Sequence, residues 1–205
     1  MGLVQVEVFA DVWCPFAHVG LRRFVERRAQ AGVEARLLVR AWPLEWVNGE
    51  PMDAGFIGEE VAQIRATVAP DLFAGFDADR FPRSTIAALE LTGRAYARSA
   101  AAGEAVALEL RDRLFERGED VGDPDVVAAV AAAHDLPAGA EASDLTARDW
   151  AEGRERGVIG SPHFFTPGGS FFCPALDVRK VDGHLRITAD PAGFDAFIES
   201  CFAAH

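Results

Sequence analysis

Cysteine is scarce in this chain, and basic charge is outnumbered. Only three cysteines occur among 205 residues, Cys14, Cys173 and Cys201. An odd, sparse set does not read as a disulfide scaffold. No zinc-type spacing of cysteine and histidine is present, so no metal is expected. Lysine and arginine number 20 against 32 acidic residues, a formal charge of −12. That balance argues against nucleic acid or a membrane surface as a partner, because phosphate binding needs clustered cations. The acidic residues are scattered, as on a solubilising surface. No apolar run approaches the ~18 residues needed to cross a bilayer. The first residues, MGLVQVEVFAD, lack a basic leader and carry Glu7 and Asp11 within the apolar stretch, so the expectation is a cytoplasmic protein.

Half of the residues are apolar, which suits one globular domain with room for an inserted subdomain. LVQVEVFA (3–10) alternates and is rich in valine, the pattern of a strand. CPFAHVGLRRFVERRAQA (14–31) has helical spacing, with Pro15 suited to a first turn and Gly32 to a stop. VEARLLVRAW (33–42) is a second strand, so these three elements form a βαβ unit with parallel strands. PLEWVNGEP reads as a loop, and a helical block with a Ser84 N-cap in its middle fills about 57–156. HFFT and SFFC flank a PGG turn and predict a hairpin; DVRKVDGHLRIT is its extension, turning at DGH, and DPAGFDAFIESCFAAH is a closing helix. The fold class is therefore α/β: a thioredoxin core over 1–42 and 157–205, interrupted by a helical insertion between the βαβ unit and the C-terminal hairpin and helix.

A reactive site is expected at DVWCPFAHVG (11–20), the junction of the first strand and the first helix. A thiol at a helix N-terminus meets unpaired N–H groups and the positive end of the dipole, which favours the thiolate. Cys14 is thus a candidate nucleophile, partly exposed, with a lowered pKa. His18 lies four residues on, on the same helical face, in position to support the thiolate or carry its proton. Trp13, with Trp42, Phe56, Phe73, Phe76 and Phe81, is a candidate lining for an apolar groove.

The stretch DVWCPFAHVG resembles the active-site motif of DsbA-like thioredoxin proteins, in particular the FrnE-type branch, where Asp-x-x-Cys-Pro-Trp-Cys is usual. Asp11, Cys14, Pro15 and Gly20 fit the pattern; Phe16 replaces tryptophan, His18 replaces an aromatic residue, and Ala17 stands where the second cysteine belongs. GVIGSPHFF (157–165) is similar to the family's second signature, a Gly-Val-x-Gly-x-Pro-Thr-Phe loop. The resemblance implies that Pro162 is cis and lies beside Cys14, with Ser161 before it and His163 in the place of threonine. A substrate-binding surface of Trp13, Pro15, Phe16, Ser161, Pro162 and His163 is expected, and the His163 imidazole is also a candidate to activate the thiolate.

Ala17 cannot resolve a mixed disulfide, so dithiol chemistry through positions 14 and 17 is excluded. The predicted hairpin returns Cys173 to the edge where Pro162 and Cys14 lie, nearer to Cys14 than Cys201 is. Cys173 is therefore the candidate second catalytic sulfur, and Cys201 reads as core. Three functions stay open: a thiol–disulfide oxidoreductase acting through Cys14; a small-thiol-dependent isomerase or transferase, like the 2-hydroxychromene-2-carboxylate isomerases and kappa-class glutathione transferases; or a non-catalytic binding module. No tightly bound cofactor is expected. A low-molecular-weight thiol is the expected co-substrate, a small-molecule or protein thiol or disulfide the expected partner, and a homodimer is left open.

Overall fold

The computed structural model describes residues 4–137, 144–181 and 184–202. Strands β1 (Val4–Ala10) and β2 (Ala35–Ala41) are parallel and joined by helix α1 (Pro15–Ala31). Pro15 opens α1, where a missing N–H costs no hydrogen bond, and Gly32 ends it in the left-handed region at φ 62°. The chain re-enters the sheet as β3 (His163–Thr166), antiparallel to β1, and turns back as β4 (Gly169–Phe172). The order β2-β1-β3-β4 is that of a thioredoxin core.

Between β2 and β3 run helices α2 (Leu44–Asn48), α3 (Ala54–Thr67), α4 (Ile86–Arg98), α5 (Ala100–Phe115), α6 (Pro124–Ala133) and α7 (Leu145–Glu155). Two local expectations change. PLEWVNGEP holds the short α2, ended by Gly49 at φ 76°; its Leu44 N–H is claimed by Asp11 from across the fold, a contact invisible to local patterning. The N-cap of α4 is Thr85, whereas the Ser84 hydroxyl bonds Glu45. The stretch after the hairpin does not extend the main sheet. It forms a separate ribbon of β5 (Leu176–Val181) and β6 (His184–Ala189), packed against α3, and residues 182 and 183 of the DGH turn lie outside the described residues. Helix α8 (Pro191–Phe202) closes the chain.

The core has two main parts. Val6, Val8, Leu21, Phe24, Phe164, Phe197 and Cys201 fill the space between the sheet, α1 and α8. A larger cluster, including Trp13, Phe73, Leu110 and Phe115, lies under the insertion. Cys201 is fully buried, as expected of a core thiol.

The outer edge of β2 is finished by the insertion. Its Leu37, Val39 and Ala41 N–H groups donate to Glu104 of α5, the Tyr96 hydroxyl of α4 and Asp149 of α7, at 3.4, 2.9 and 2.8 Å. The Tyr96 hydroxyl in turn donates to the Leu37 carbonyl at 3.0 Å. An exposed strand edge is thereby turned into an internal seam.

Candidate active site

Cys14 is the N-cap of α1, with extended backbone at φ −80° and ψ 111°. Its Sγ accepts the Ala17 N–H at 3.4 Å and donates to the Ser161 carbonyl at 3.1 Å. The Ser161–Pro162 peptide is cis, and the Ser161 hydroxyl accepts the Asp11 N–H at 3.0 Å. Two stretches about 150 residues apart are thus held together at the sulfur.

The surroundings are drier than a helix N-terminus alone suggests. Cys14 is 3% exposed, not partly exposed. Burial pushes its thiol up to about 12, outweighing hydrogen bonding by Ser161 and the Ala17 N–H, while the Glu60 and Asp11 carboxyls also work upward. The expected lowering is therefore reversed: the N-terminus favours the thiolate, but desolvation dominates.

Asp11 is completely buried. Its carboxylate accepts the Thr85 hydroxyl and the Leu44 N–H, each at 2.6 Å, and the Trp13 N–H at 3.4 Å. Burial still raises it to about 6. Glu60 of α3, 5% exposed, is raised to about 7 by burial alone.

The His18 ring does not serve the sulfur. It is 1% exposed, packed between Phe73 and Phe115 at 5.1 and 5.0 Å, and its Nε2 meets Glu116 at 2.7 Å. Burial lowers the His18 pKa, which favours a neutral ring donating to the carboxylate. Burial acts to raise Glu116, but the His18 contact and the Phe73 and Ala74 N–H groups overcome this and hold it near 2. His163 is likewise turned elsewhere. It stacks on Phe165 at 4.8 Å, and its Nδ1 accepts the Ile159 N–H at 3.3 Å.

Helix and hairpin bring the other named residues together in part. Pro15 and Pro162 are buried and Phe16 is half-buried. Trp13 is fully buried, stacked on Phe81 at 5.7 Å, and its indole N–H has no partner among the described residues. The expected aromatic groove is filled. Phe76 packs on Phe81 and Phe115, Trp42 lies apart against Phe9 and Trp150, and Phe56 is exposed.

Cys173 follows β4 directly, and its N–H donates to the Pro162 carbonyl at 3.0 Å. Its backbone is left-handed at φ 48°. Burial raises its thiol strongly, with the Cys14 and Glu60 charges adding to the rise; Cys201 is raised by burial only. Cys173 also lines a cleft of about 450 Å³ with Phe171, Phe172, Asp177, Arg179 and Asp190. Among the described residues, no group of three or more His, Cys, Asp or Glu side chains could hold a metal.

The model of the DsbA-like thioredoxin domain matches residues 5–186. The chain belongs to the DsbA-like thioredoxin family. Three solved structures show its fold. A probable DsbA oxidoreductase from Streptomyces coelicolor is 19% identical, covering 98% of this chain and 91% of its own, at a TM-score of 0.69. A 2-hydroxychromene-2-carboxylate isomerase is 16% identical, covering 82% and 88%, at 0.59. The cytosolic disulfide reductase DsbM of Pseudomonas aeruginosa, in a structure with GSH, is 13% identical, covering 98% and 100%, at 0.56. No curated protein matches in sequence. This DsbA-like chain has no described helix long and apolar enough to cross a membrane.

Sequence reasoning missed Arg111 of α5. Its guanidinium is 1% exposed and donates to the Ala107 and Asp11 carbonyls at 2.8 and 3.2 Å. In the sequence it is one arginine of LELRDRLFER, and its periodicity matches Val106, Ala107, Leu110 and Leu114 on the buried face. A charged residue in register with an apolar stripe was the available signal.

Proposed function

We propose that the protein is a thiol–disulfide oxidoreductase in which Cys14 is the nucleophile and Cys173 the resolving thiol. The observation that carries this reading is the position of the Cys14 sulfur, capped by the Ala17 N–H and set against the Ser161 carbonyl. There a helix end offsets part of the cost of ionisation. The Cys14 thiolate attacks a disulfide RSSR, forming Cys14–S–SR and releasing RS⁻, which takes up a proton. Cys173, as thiolate, then attacks the Cys14 sulfur. A Cys14–Cys173 disulfide forms and the second RS⁻ leaves, so two protein thiols are oxidised and one small disulfide is reduced. A low-molecular-weight thiol is the proposed co-substrate for the return half-cycle, and the cytoplasm the proposed compartment. The hydrogen bond between the Cys173 N–H and the Pro162 carbonyl supports the role of Cys173.

A second reading follows from Ala17. With no sulfur at that position, Cys14 works as a monothiol that binds a small thiol for an isomerase or transferase reaction. Single variants separate the two. In insulin reduction and small-disulfide exchange, Cys14→Ser is expected to lose at least ~100-fold in rate with an unchanged circular dichroism spectrum, because no other group supplies the attacking sulfur. Cys173→Ser is expected to accumulate a mixed disulfide at Cys14, visible by intact mass. Full turnover in Cys173→Ser assigns the monothiol reading, and full turnover in Cys14→Ser overturns both.

A further inference from the structure

The insertion places a buried cation against the stretch that carries the thiol. Arg111 is 1% exposed, and the leading charge acting on it is that of Asp11, ahead of that of Cys14. Its Nε has no hydrogen-bond partner among the described residues, and its Nη1 and Nη2 donate to carbonyl oxygens. A buried guanidinium satisfied only in part is expensive to keep, and an apolar residue of similar volume is often the more stable choice. One of its two carbonyl partners belongs to Asp11, three residues before Cys14. The ionisable groups felt at Arg111 are Asp11 just after β1, Cys14 at the start of α1 and Tyr96 of α4; His18 of α1 feels its charge in turn. Of these, Cys14 is the group that the proposed chemistry requires to become an anion.

We propose that Arg111 is a positioning residue that supplies the buried countercharge for the Cys14 thiolate. This rests on Cys14 being the nucleophile. When Cys14–SH releases its proton to water or to a departing thiolate, the negative sulfur forms in a site only 3% exposed, with Glu60 and Asp11 opposing it. Arg111, hydrogen-bonded to the Asp11 carbonyl and sensitive to the charge of Cys14, favours the anion without touching the substrate, and it comes from the helices that a minimal thioredoxin core lacks.

The test uses the Cys173→Ser/Cys201→Ser protein, whose only thiol is Cys14, and reads the rate of iodoacetamide alkylation between about pH 7 and pH 9. Below the thiol pKa that rate follows the thiolate fraction. Arg111→Met is expected to slow it about tenfold across the range, equivalent to raising the Cys14 pKa by about one unit. Arg111→Lys, which keeps the charge, is expected to recover most of the rate; a packing role alone would not be rescued that way. If Arg111→Met does not fold, Arg111→Gln keeps donors for the Asp11 and Ala107 carbonyls and carries the same comparison. A folded neutral variant that alkylates at the parent rate overturns the inference, as does a parent Cys14 that does not react at all. Alkylation that depends on Arg111 in a protein without disulfide-exchange turnover would instead sink the oxidoreductase reading and leave the countercharge standing.

Discussion

Glu60 is the side chain whose burial has the plainest thermodynamic price. It is 5% exposed, and burial alone raises it from 4.5 to about 7. The unfolded chain releases this proton near the ordinary value, whereas the folded chain holds it. Stability contributed by the protonated group is therefore complete below about pH 4.5, falls as pH rises through the window, and is lost above about 7. Glu60→Gln removes the penalty. Its unfolding free energy is expected to match the parent near pH 4.5 and exceed it by about 2–3 kcal/mol near pH 8. Urea titrations at the two pH values check this, and a difference that does not change with pH contradicts it. Such effects mark what was and was not legible at this scale. Cys14, Ser161 and Pro162 were found because their neighbours in sequence define the motif. The burial of Cys14 and the diversion of His18 to Glu116 depend on residues 98 or more positions away, and no local pattern encodes them.

Among the elements, the sealed edge of β2 ties the insertion to the core. Tyr96 both accepts from Val39 and donates to Leu37, so one hydroxyl joins α4 to the strand in two directions. Tyr96→Phe keeps the ring and leaves a buried N–H and carbonyl short of partners. The expected cost is about 1–3 kcal/mol, read by chemical denaturation, with faster amide exchange at Val39 than at the β1-facing groups of the same strand. An unchanged midpoint would show that water takes over both bonds. The βαβ unit, the hairpin, α6 with its Asp-Pro start and α8 were legible because alternation, helical periodicity and turn residues act within a dozen positions. Helix α2 was not, because it spans a single turn and is set by the Asp11 carboxylate. The ribbon of β5 and β6 reads as strand in either arrangement, and only its packing on α3 and beside α8 separates it from the main sheet.

For the whole molecule, the order in which the parts meet has a consequence in time. The bonds that shield the thiol join residues separated by 147 and 150 positions, whereas α4 and α5 are consecutive helices in extensive contact. Closing so long a loop carries an entropic cost before any contact repays it, so local helical pairs form early and the junction of β1 with β3 forms late. In refolding from urea, the far-ultraviolet helical signal is expected to recover before Cys14 becomes resistant to a pulse of thiol reagent. Coincident traces would mean that insertion and core condense together. A lag has a chemical meaning for the chain itself. The sulfur guarded in the finished protein passes through an interval in the open, free of the desolvation that keeps it protonated. During that interval a newly made chain is at its most susceptible to capture by a passing disulfide, and closure of the sheet is the event that ends its exposure.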